Sequence, residues 1–219
     1  MSIQSPDFIA GKVEDVTLEN LKAAGFLDEL MAIIFDVDGV LIPYNDSLTN
    51  IEESVLDYLR LLELGEAALK LFIVSNATQK RNSELVELFE KNDLVDKVLT
   101  PSLLTKINLV EARYNRKPSP AMIEHILKDY SILPEKCLFV GDQISMDVQA
   151  AKRASGPDGK HPMSLLLPPR GDRKDPVVRL LQRPAEFVLR RVLGGLPLHW
   201  QDFPIGKIEK VEKSARIEQ

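Results

Sequence analysis

Short, almost wholly apolar blocks alternate along this chain with longer amphipathic segments, and this alternation restricts the fold more than any other feature of the sequence. A strand that is apolar on both faces must be covered on both faces, which is typical of parallel sheets flanked by helices. The apolar blocks predict strands at residues 31–35, 69–74, 98–100, 137–140 and 164–167. The amphipathic segments predict helices at residues 51–64, 79–91, 118–130 and 145–154. The pattern therefore predicts a three-layer α/β fold with a mainly parallel sheet.

Composition excludes several classes of function. The chain of 219 residues has 28 basic and 33 acidic side chains, and its net charge of -5 argues against general nucleic-acid binding. A single cysteine, Cys137, excludes an internal disulfide and a cysteine zinc cluster. No apolar run approaches the ~18 residues of a membrane-spanning helix, and the N-terminus lacks the pattern of a signal peptide. We therefore expect a cytoplasmic protein.

The chain is predicted to consist of a core and two C-terminal parts. Residues 1–169 form the core with an N-terminal lead-in, residues 170–200 form a basic amphipathic segment packed on or beside it, and residues 201–219 form a tail. From Arg170 to Arg191 there are seven basic and three acidic residues, interleaved with apolar ones. This segment either packs on the sheet with a solvated arginine face or contacts an anionic membrane. The alternating charges from Lys207 onward predict a loosely held or frayed tail.

Two aspartates directly follow the first predicted strand. Asp36 and Asp38 are separated by one residue and lie at the carboxyl end of the strand, where the ligand crevice of a parallel sheet is found. Asp36 is placed to attack a substrate and Asp38 to move a proton. The alternative interpretation is an acidic turn that merely ends a strand, and these two residues alone leave the choice almost even.

Ser75 and Asn76 follow the second predicted strand, and Lys117 precedes Pro118 and a predicted helix. A hydroxyl with neighbouring backbone N–H groups suits a phosphate oxygen, although Ser-Asn is also ordinary turn chemistry. A lysine beside a helix N-terminus can bind an anion as a point charge. Taken singly, Lys117 would be interpreted as a surface lysine.

Two further acids, Asp142 and Asp147, follow the strand predicted at residues 137–140. They add only oxygen ligands to the same edge of the sheet. Carboxylates with water select a hard cation, and Mg²⁺ takes one or two carboxylates and keeps several waters. Asp147 can alternatively be a first-turn acid that the helix dipole favours.

Taken together, the order Asp, Ser, Lys, Asp at successive strand ends resembles the haloacid dehalogenase superfamily, and specifically its aspartyl-phosphate phosphatases. The resemblance implies that Asp36 is the nucleophile that forms an aspartyl-phosphate. It implies that Asp38 is the general acid, which protonates the leaving oxygen and then activates water. Ser75 and Lys117, with the neighbouring Asn76, would hold the oxygens of the transferred phosphoryl group.

The same resemblance implies a Mg²⁺ cofactor. Asp142 matches a metal ligand, and Asp36 with the backbone carbonyl of Asp38 completes the protein share. Asp147 matches the second acid, which helps to hold the metal or orients Lys117. A cation is needed because an anionic carboxylate must approach an anionic phosphate.

The intervals between these residues leave no room for a cap domain. Only a short stretch separates Asp36 from the helix near Ile51, which implies a capless member with an open site, suited to a phosphate on something large. Residues 5–193 are similar to the capless phosphatidylglycerophosphate phosphatases, subfamily IIIA of the superfamily. The motifs that carry this similarity are Pro6-Asp7-Phe8, Thr17-Leu18-Glu19-Asn20-Leu21-Lys22, Ile42-Pro43-Tyr44-Asn45, Ser75-Asn76-Ala77 and Gly141-Asp142-Gln143.

The sequence thus predicts a Mg²⁺-dependent phosphomonoester hydrolase, with phosphatidylglycerophosphate as the leading substrate in phospholipid synthesis. The alternatives are a phosphatase for a soluble sugar or nucleotide phosphate and a catalytically idle scaffold that only binds partners. Intact acids at 36, 38 and 142 argue against an idle site, because unpaired carboxylates repel one another unless a metal offsets them. The expected partner is a phosphorylated substrate, and no nucleic acid is expected. If residues 170–191 contact a membrane rather than pack on the core, the second partner is the inner face of an anionic membrane.

Overall fold

A seven-stranded sheet forms the middle layer of the part of the protein that the computed structural model describes, which comprises residues 3–25, 30–44, 46–65, 69–108, 111–156, 158–171 and 183–212. The strands are β1 (Phe8–Ala10), β2 (Ala32–Phe35), β3 (Lys70–Val74), β4 (Lys97–Leu99), β5 (Cys137–Gly141), β6 (Met163–Leu166) and β7 (Ile208–Lys210). Their order in the sheet is β4-β3-β2-β5-β6-β1-β7. All neighbouring strands are parallel except β7, which pairs with β1 in the antiparallel sense.

Helices cover both faces of this sheet. They are α1 (Leu18–Ala23), α2 (Glu53–Gly65), α3 (Gln79–Leu85), α4 (Pro101–Asn108), α5 (Ala112–Asn115), α6 (Ala121–Asp129), α7 (Gln149–Arg153) and α8 (Arg183–Leu193). A π-helical turn extends α3 over Val86–Glu90, and another, Ile144–Val148, leads into α7. Short 3-10 turns occupy Val13–Asp15, Leu48–Asn50, Pro134–Lys136 and Trp200–Asp202. No helix in these residue ranges is both long and apolar enough to cross a membrane.

The core has a separate apolar layer on each face because successive side chains of a strand point to opposite sides. On one face, Phe35 of β2 belongs to the same buried cluster as Leu59 of α2. On the other face, Ile34 of β2 belongs to a cluster with Ile126 of α6. This arrangement confirms the predicted three-layer α/β fold with a mainly parallel sheet, and the five predicted strands agree with β2, β3, β4, β5 and β6 to within one residue at each end. The absence of a cap domain stays a prediction.

Two strands at one edge of the sheet were not predicted. Phe8–Ala10 form β1, and Ile208–Lys210 form β7 beside it. The expectation of a frayed tail from Lys207 onward is therefore wrong for β7, where Ile208 is buried and backbone pairing holds the segment in the sheet. Residues 213–219 of that tail, and residues 172–182 of the predicted basic segment, lie outside the described residues.

The parallel order places the carboxyl ends of β3, β2 and β5 side by side. Register confirms this, because Phe35 at the end of β2 lies opposite Ile73 of β3 and Val140 of β5. The loops that leave these three strands carry the predicted site residues. The fold therefore brings together segments that are distant in the sequence.

Candidate active site

The turn after β2 places Asp36 at the edge of the sheet. Its backbone N–H donates to Val140 O of β5 at 3.0 Å, so Asp36 continues the strand pairing by one residue. The following turn contains fully buried apolar side chains, which anchor it in the core: Val37, Leu41 and Ile42. Gly39 has φ +88°, and a Cβ at this position would lie 2.5 Å from Asp142 Oδ2. Glycine is therefore required where the turn meets the acidic loop after β5.

Lys117 joins two of the aspartates. Its Nζ lies 2.7 Å from Asp36 Oδ1 and 2.7 Å from Asp147 Oδ1, and it donates to Val74 O at 3.2 Å. The lysine is 3% exposed. Burial alone would lower the pKa of its ammonium group, but the carboxylates of Asp147 and Asp36 outweigh burial and raise the pKa above its usual value. Lys117 is thus a fixed positive charge at the centre of the site.

Three buried carboxyl groups converge beside this lysine. Oxygen atoms of Asp36, Asp142 and Asp147 lie within 4.8 Å of one another. Burial raises the pKa of Asp36 well above its usual range; Lys117 opposes this effect, and the negative charges of Asp147 and Asp142 add to it. The cluster therefore carries more negative charge than Lys117 offsets. An all-oxygen donor set of this kind fits Mg²⁺, which would supply the missing positive charge.

Asp147 also shapes the loop that carries Asp142. Its Oδ2 accepts hydrogen bonds from the backbone N–H of Asp142 at 3.1 Å and of Gln143 at 3.0 Å. A Cβ on Gly141 would lie 2.3 Å from the Cβ of Asp147, so the loop closes tightly around this carboxylate. With Oδ1 on Lys117 and Oδ2 on the loop, Asp147 holds both the lysine and the acidic loop in place.

Asp38 lies at the same cavity but outside the three-carboxylate cluster found among the described residues. Its Oδ1 is 2.8 Å from Nη1 of Arg81, and Nη2 of Arg81 donates to Asp46 O at 3.0 Å. Sequence reasoning missed Arg81, because one basic residue in the first turn of a helix is indistinguishable from a solvated one. The side chain of Asp38 is thus held by an arginine at the wall of the cavity.

Ser75 and Asn76 follow β3 as predicted. Ser75 is 1% exposed and is not among the residues that line the cavity described below, and its Oγ accepts a hydrogen bond from Ala77 N at 3.2 Å. The side chain of Asn76 binds the backbone of Lys117 twice, accepting from N–H at 2.8 Å and donating to O at 3.2 Å. The amide of Asn76 therefore positions Lys117.

A cavity of about 360 Å³ opens at these residues, at the lower end of the ~300–1,000 Å³ range of small-molecule pockets. It is lined by Asp36, Asp38, Tyr44, Asn76, Ala77, Thr78, Arg81, Arg116, Lys117, Gln143, Met146 and Asp147. Arg116 was also missed from the sequence, although its position directly before Lys117 was a signal that could have found it.

The C-terminal helix reaches this site through Glu186. Its carboxylate accepts hydrogen bonds from Ile144 N at 3.0 Å, Ser145 N at 3.1 Å and Ser145 Oγ at 2.7 Å. These contacts satisfy N–H groups at the start of the π-helical turn that contains Asp147. In the sequence, Glu186 was only one of three acids in a basic segment.

One family model matches a segment that makes up less than half of the chain. Residues 58–156 match the family model described as haloacid dehalogenase-like hydrolase. The matched segment includes Ser75, Lys117, Asp142 and Asp147, whereas Asp36 and Asp38 precede it and join it through the pairing of β2 with β3 and β5. No curated protein matches the chain.

Solved structures resemble the chain at low identity. A haloacid dehalogenase-superfamily hydrolase of subfamily IA from Geobacter sulfurreducens is 18% identical, with 57% of this chain and 86% of that chain covered and a TM-score of 0.40. The 3-deoxy-D-manno-octulosonate 8-phosphate phosphatase from Moraxella catarrhalis, solved with magnesium and phosphate ions and its sugar, is 14% identical, with 75% and 90% covered and a TM-score of 0.40. A hydrolase of the same superfamily from Deinococcus radiodurans, solved with phosphate and sodium, is 16% identical, with 64% and 91% covered and a TM-score of 0.38.

Proposed function

We propose that this chain hydrolyses phosphomonoesters through an aspartyl-phosphate intermediate, and the match of residues 58–156 to the haloacid dehalogenase-like hydrolase family model supports this proposal. The observation that carries the proposal is the position of Lys117, which bridges Asp36 and Asp147 in a cavity beside Asp142. In this scheme Asp36 is the nucleophile, Lys117 is a fixed cation beside it, and Asp142 is a candidate metal ligand. Together these three groups would favour hydrolysis of a dianionic phosphate by a covalent route.

In the first step, an oxygen of Asp36 attacks phosphorus, and the bond between phosphorus and the ester oxygen breaks. Asp38 donates a proton to the departing oxygen, so that the alcohol leaves neutral. Arg81 fixes Asp38 at the wall of the cavity through Oδ1, and Oδ2 carries the proton in this scheme. Lys117 and the Ser75 hydroxyl hold the equatorial phosphoryl oxygens.

In the second step, Asp38 takes a proton from water, and the resulting hydroxide attacks phosphorus of the aspartyl-phosphate. The bond between phosphorus and Asp36 breaks, which releases inorganic phosphate and restores both aspartates. Lys117 stays charged in this scheme, because Asp147 Oδ1 remains 2.7 Å from its Nζ while the phosphoryl oxygens face it in place of the Asp36 carboxylate.

The donor set fits Mg²⁺, which would be held by Asp36, Asp142 and the backbone carbonyl of Asp38, with Asp147 at the same cluster. When bound, the ion screens the repulsion between Asp36 and the phosphate and lowers the raised pKa of Asp36.

The decisive experiment is phosphate release from p-nitrophenyl phosphate with and without Mg²⁺. Wild-type protein should require Mg²⁺, and Asp36→Asn should lose at least ~10³-fold in kcat, because no covalent route remains. Glu87→Gln is a matched control, since Glu87 is exposed on the turn that extends α3 and pairs only with Lys91 among the described residues. Full activity in Asp36→Asn would contradict the assignment of the nucleophile.

We further propose that the phosphate is carried by a lipid headgroup, with phosphatidylglycerophosphate as the leading substrate. The small cavity admits a headgroup and leaves acyl chains outside it. Beyond the cavity, α8 turns Val188 and Val192 outward, 55% and 75% exposed, with the exposed Arg191 beside them. An apolar helix face with arginines suits the surface of an anionic membrane.

Vesicle binding tests this second proposal. Binding to vesicles with anionic lipid should weaken as salt rises, and Val188→Ser with Val192→Ser should reduce it while leaving hydrolysis of p-nitrophenyl phosphate intact. A preference for soluble sugar or nucleotide phosphates with no vesicle binding at low salt would favour the soluble alternative. An inactive protein that retains a defined partner would favour the scaffold.

A further inference from the structure

One of the three basic side chains that line the cavity has no role in the proposed hydrolysis of a phosphomonoester. Its acidic lining residues are Asp36, Asp38 and Asp147, and its basic ones are Lys117, Arg81 and Arg116. Two of these cations are already paired, since Lys117 contacts Asp36 and Asp147 while Arg81 contacts Asp38.

Arg116 differs from Lys117 and Arg81 in its contacts. Within the described residue ranges it pairs with no carboxylate, and its Nη2 donates only to Asn76 O, at 3.5 Å. Its side chain is exposed, yet it lines the cavity next to Lys117. A guanidinium group at the wall of a polar pocket, held by a single long hydrogen bond, is available to an anionic ligand.

Arg81 completes this wall of the cavity. Its guanidinium is oriented by Asp38 and by Asp46 O, and its side chain is 18% exposed. Thr78, at the start of the same helix, adds a hydroxyl to the lining. The polar wall formed by Arg116, Arg81 and Thr78 is thus richer in donors than binding of a single phosphate requires.

We propose that the substrate carries a second anionic group, a carboxylate or a phosphodiester, which Arg116 binds with Arg81 beside it. This inference rests on the proposed phosphatase function and narrows its substrate class to phosphomonoesters with an additional negative charge close to the phosphate. Arg116 is a specificity residue in this scheme, because it contacts the part of the substrate that does not react. A lipid headgroup and a soluble phosphorylated acid both provide this chemistry.

The test compares substrates that differ in that second group. Glycerol 3-phosphate lacks it, 3-phosphoglycerate carries a carboxylate in its place, and a short-chain, monomeric phosphatidylglycerophosphate carries a phosphodiester. At saturating Mg²⁺, kcat/KM should be at least about tenfold higher for one of the anionic substrates than for glycerol 3-phosphate, the size of one charge-assisted hydrogen bond. The anionic substrate with the higher kcat/KM shows whether the second anionic group is a carboxylate or a phosphodiester.

Arg116→Gln should reduce that ratio by about tenfold, and Arg116→Lys should restore part of it. Arg113→Gln is the matched control, because Arg113 is exposed on the short helix α5 that ends just before Arg116, pairs with Glu111 and does not line the cavity. The ratio for this variant should equal that of wild type. Melting temperatures of all variants exclude misfolding.

A wild-type ratio near one for both anionic substrates, or an unchanged ratio in Arg116→Gln, would overturn the proposed anion site while phosphatase activity stands. If no phosphomonoester is hydrolysed, the proposed function fails instead. Calorimetry then tests the anion site separately, by comparing the affinities of 3-phosphoglycerate and the short-chain lipid with that of glycerol 3-phosphate. Tighter binding of an anionic compound that is lost in Arg116→Gln supports the site. Equal affinities for all three compounds refute the site.

Discussion

At the scale of single residues, Lys117 is the cation that joins two buried carboxylates of the candidate site. It is buried between Asp36 and Asp147, so removing it leaves two buried carboxylates without their cation. We expect Lys117→Met to lower the free energy of unfolding by about 3–5 kcal/mol, as for other broken buried pairs. Urea unfolding in the presence of EDTA measures this loss.

The matched control for that measurement is Lys91→Met. Lys91 pairs with Glu87 four residues earlier on an exposed helix face, with side chains 65% and 67% exposed. Such an exposed, solvent-screened pair contributes little to stability, so the loss should be much smaller than in Lys117→Met. Similar losses in the two variants would show that Lys117 is not the central cation of the site.

Substitution of Asp142 should have the opposite effect on stability to substitution of Lys117. In the metal-free protein burial raises the pKa of Asp36 and the charge of Asp142 adds to that effect, so Asp142→Asn should raise Tm by roughly 2–4 °C. The same substitution removes a proposed ligand, so the rise in Tm on addition of Mg²⁺ should become smaller than in wild type. Thermal unfolding with EDTA and with excess Mg²⁺ measures both effects.

Asp158→Asn serves as the reference, because Asp158 is 62% exposed and lies 3.7 Å from Lys160. It should change neither Tm nor the response to Mg²⁺. A lower Tm for Asp142→Asn in EDTA, or a response to Mg²⁺ equal to that of wild type, would argue against a metal site at this cluster.

At the scale of secondary structure, the central strands were predictable and the edge strands were not. Residues 32–35 and 137–141 are buried on both faces and read as unbroken apolar runs. The two edge strands, Phe8–Ala10 and Ile208–Lys210, have three residues each, which is too few to recognise an alternation of apolar and polar side chains. In β7 only Ile208 is buried. Pairing across the sheet, which the local sequence does not encode, decides their structure.

The residues of the candidate site also divide into those that the sequence predicted and those that it did not. Residues directly after a buried strand, such as Asp36, Ser75 and Asp142, were identified because the strand end fixes their position. Arg81 and Glu186 enter the site from helices, and their partners are 43 and 41–42 residues away in the sequence. Only tertiary packing brings such pairs together.

Glu186 gives the prediction that belongs to this scale. Its carboxylate caps the turn Ile144–Val148 from another helix, so Glu186→Ala should lower the free energy of unfolding by about 0.5–2 kcal/mol. Because that turn carries Asp147, the substitution should also weaken Mg²⁺ binding by about tenfold, the lower end of the effect of removing an outer-shell partner. Mg²⁺ titrations monitored by Tm measure the second effect.

Arg191→Ala, on the exposed face of the same helix, separates loss of the cap from loss of helix stability. It should leave Mg²⁺ binding as in wild type. If Glu186→Ala destabilises the protein with no change in Mg²⁺ affinity, α8 does not influence the metal site.

At the scale of the whole molecule, the two ends of the chain close one edge of the sheet. β7 pairs with β1, and Val211 N donates to Asp7 O at 2.9 Å just beyond it. Without β7, the N-terminal strand β1 would become an exposed edge next to β6. The strands that carry the candidate site, β2, β3 and β5, lie on the far side of β6 and do not pair with β7.

This topology predicts that stability and catalysis respond differently to truncation. A chain ending at Gly206 should lose about 3–6 kcal/mol relative to one ending at Glu212, because it no longer buries Ile208 and Val211, at ~1.5–3 kcal/mol each as an upper bound. At temperatures where both chains remain folded, kcat/KM for p-nitrophenyl phosphate should agree within about twofold, since no residue of the cavity lies in β7. Urea unfolding and steady-state kinetics on the two chains measure this. Equal unfolding midpoints would mean that β7 frays in solution, as the charge pattern of the sequence predicts, and that β1 is stable as an edge strand.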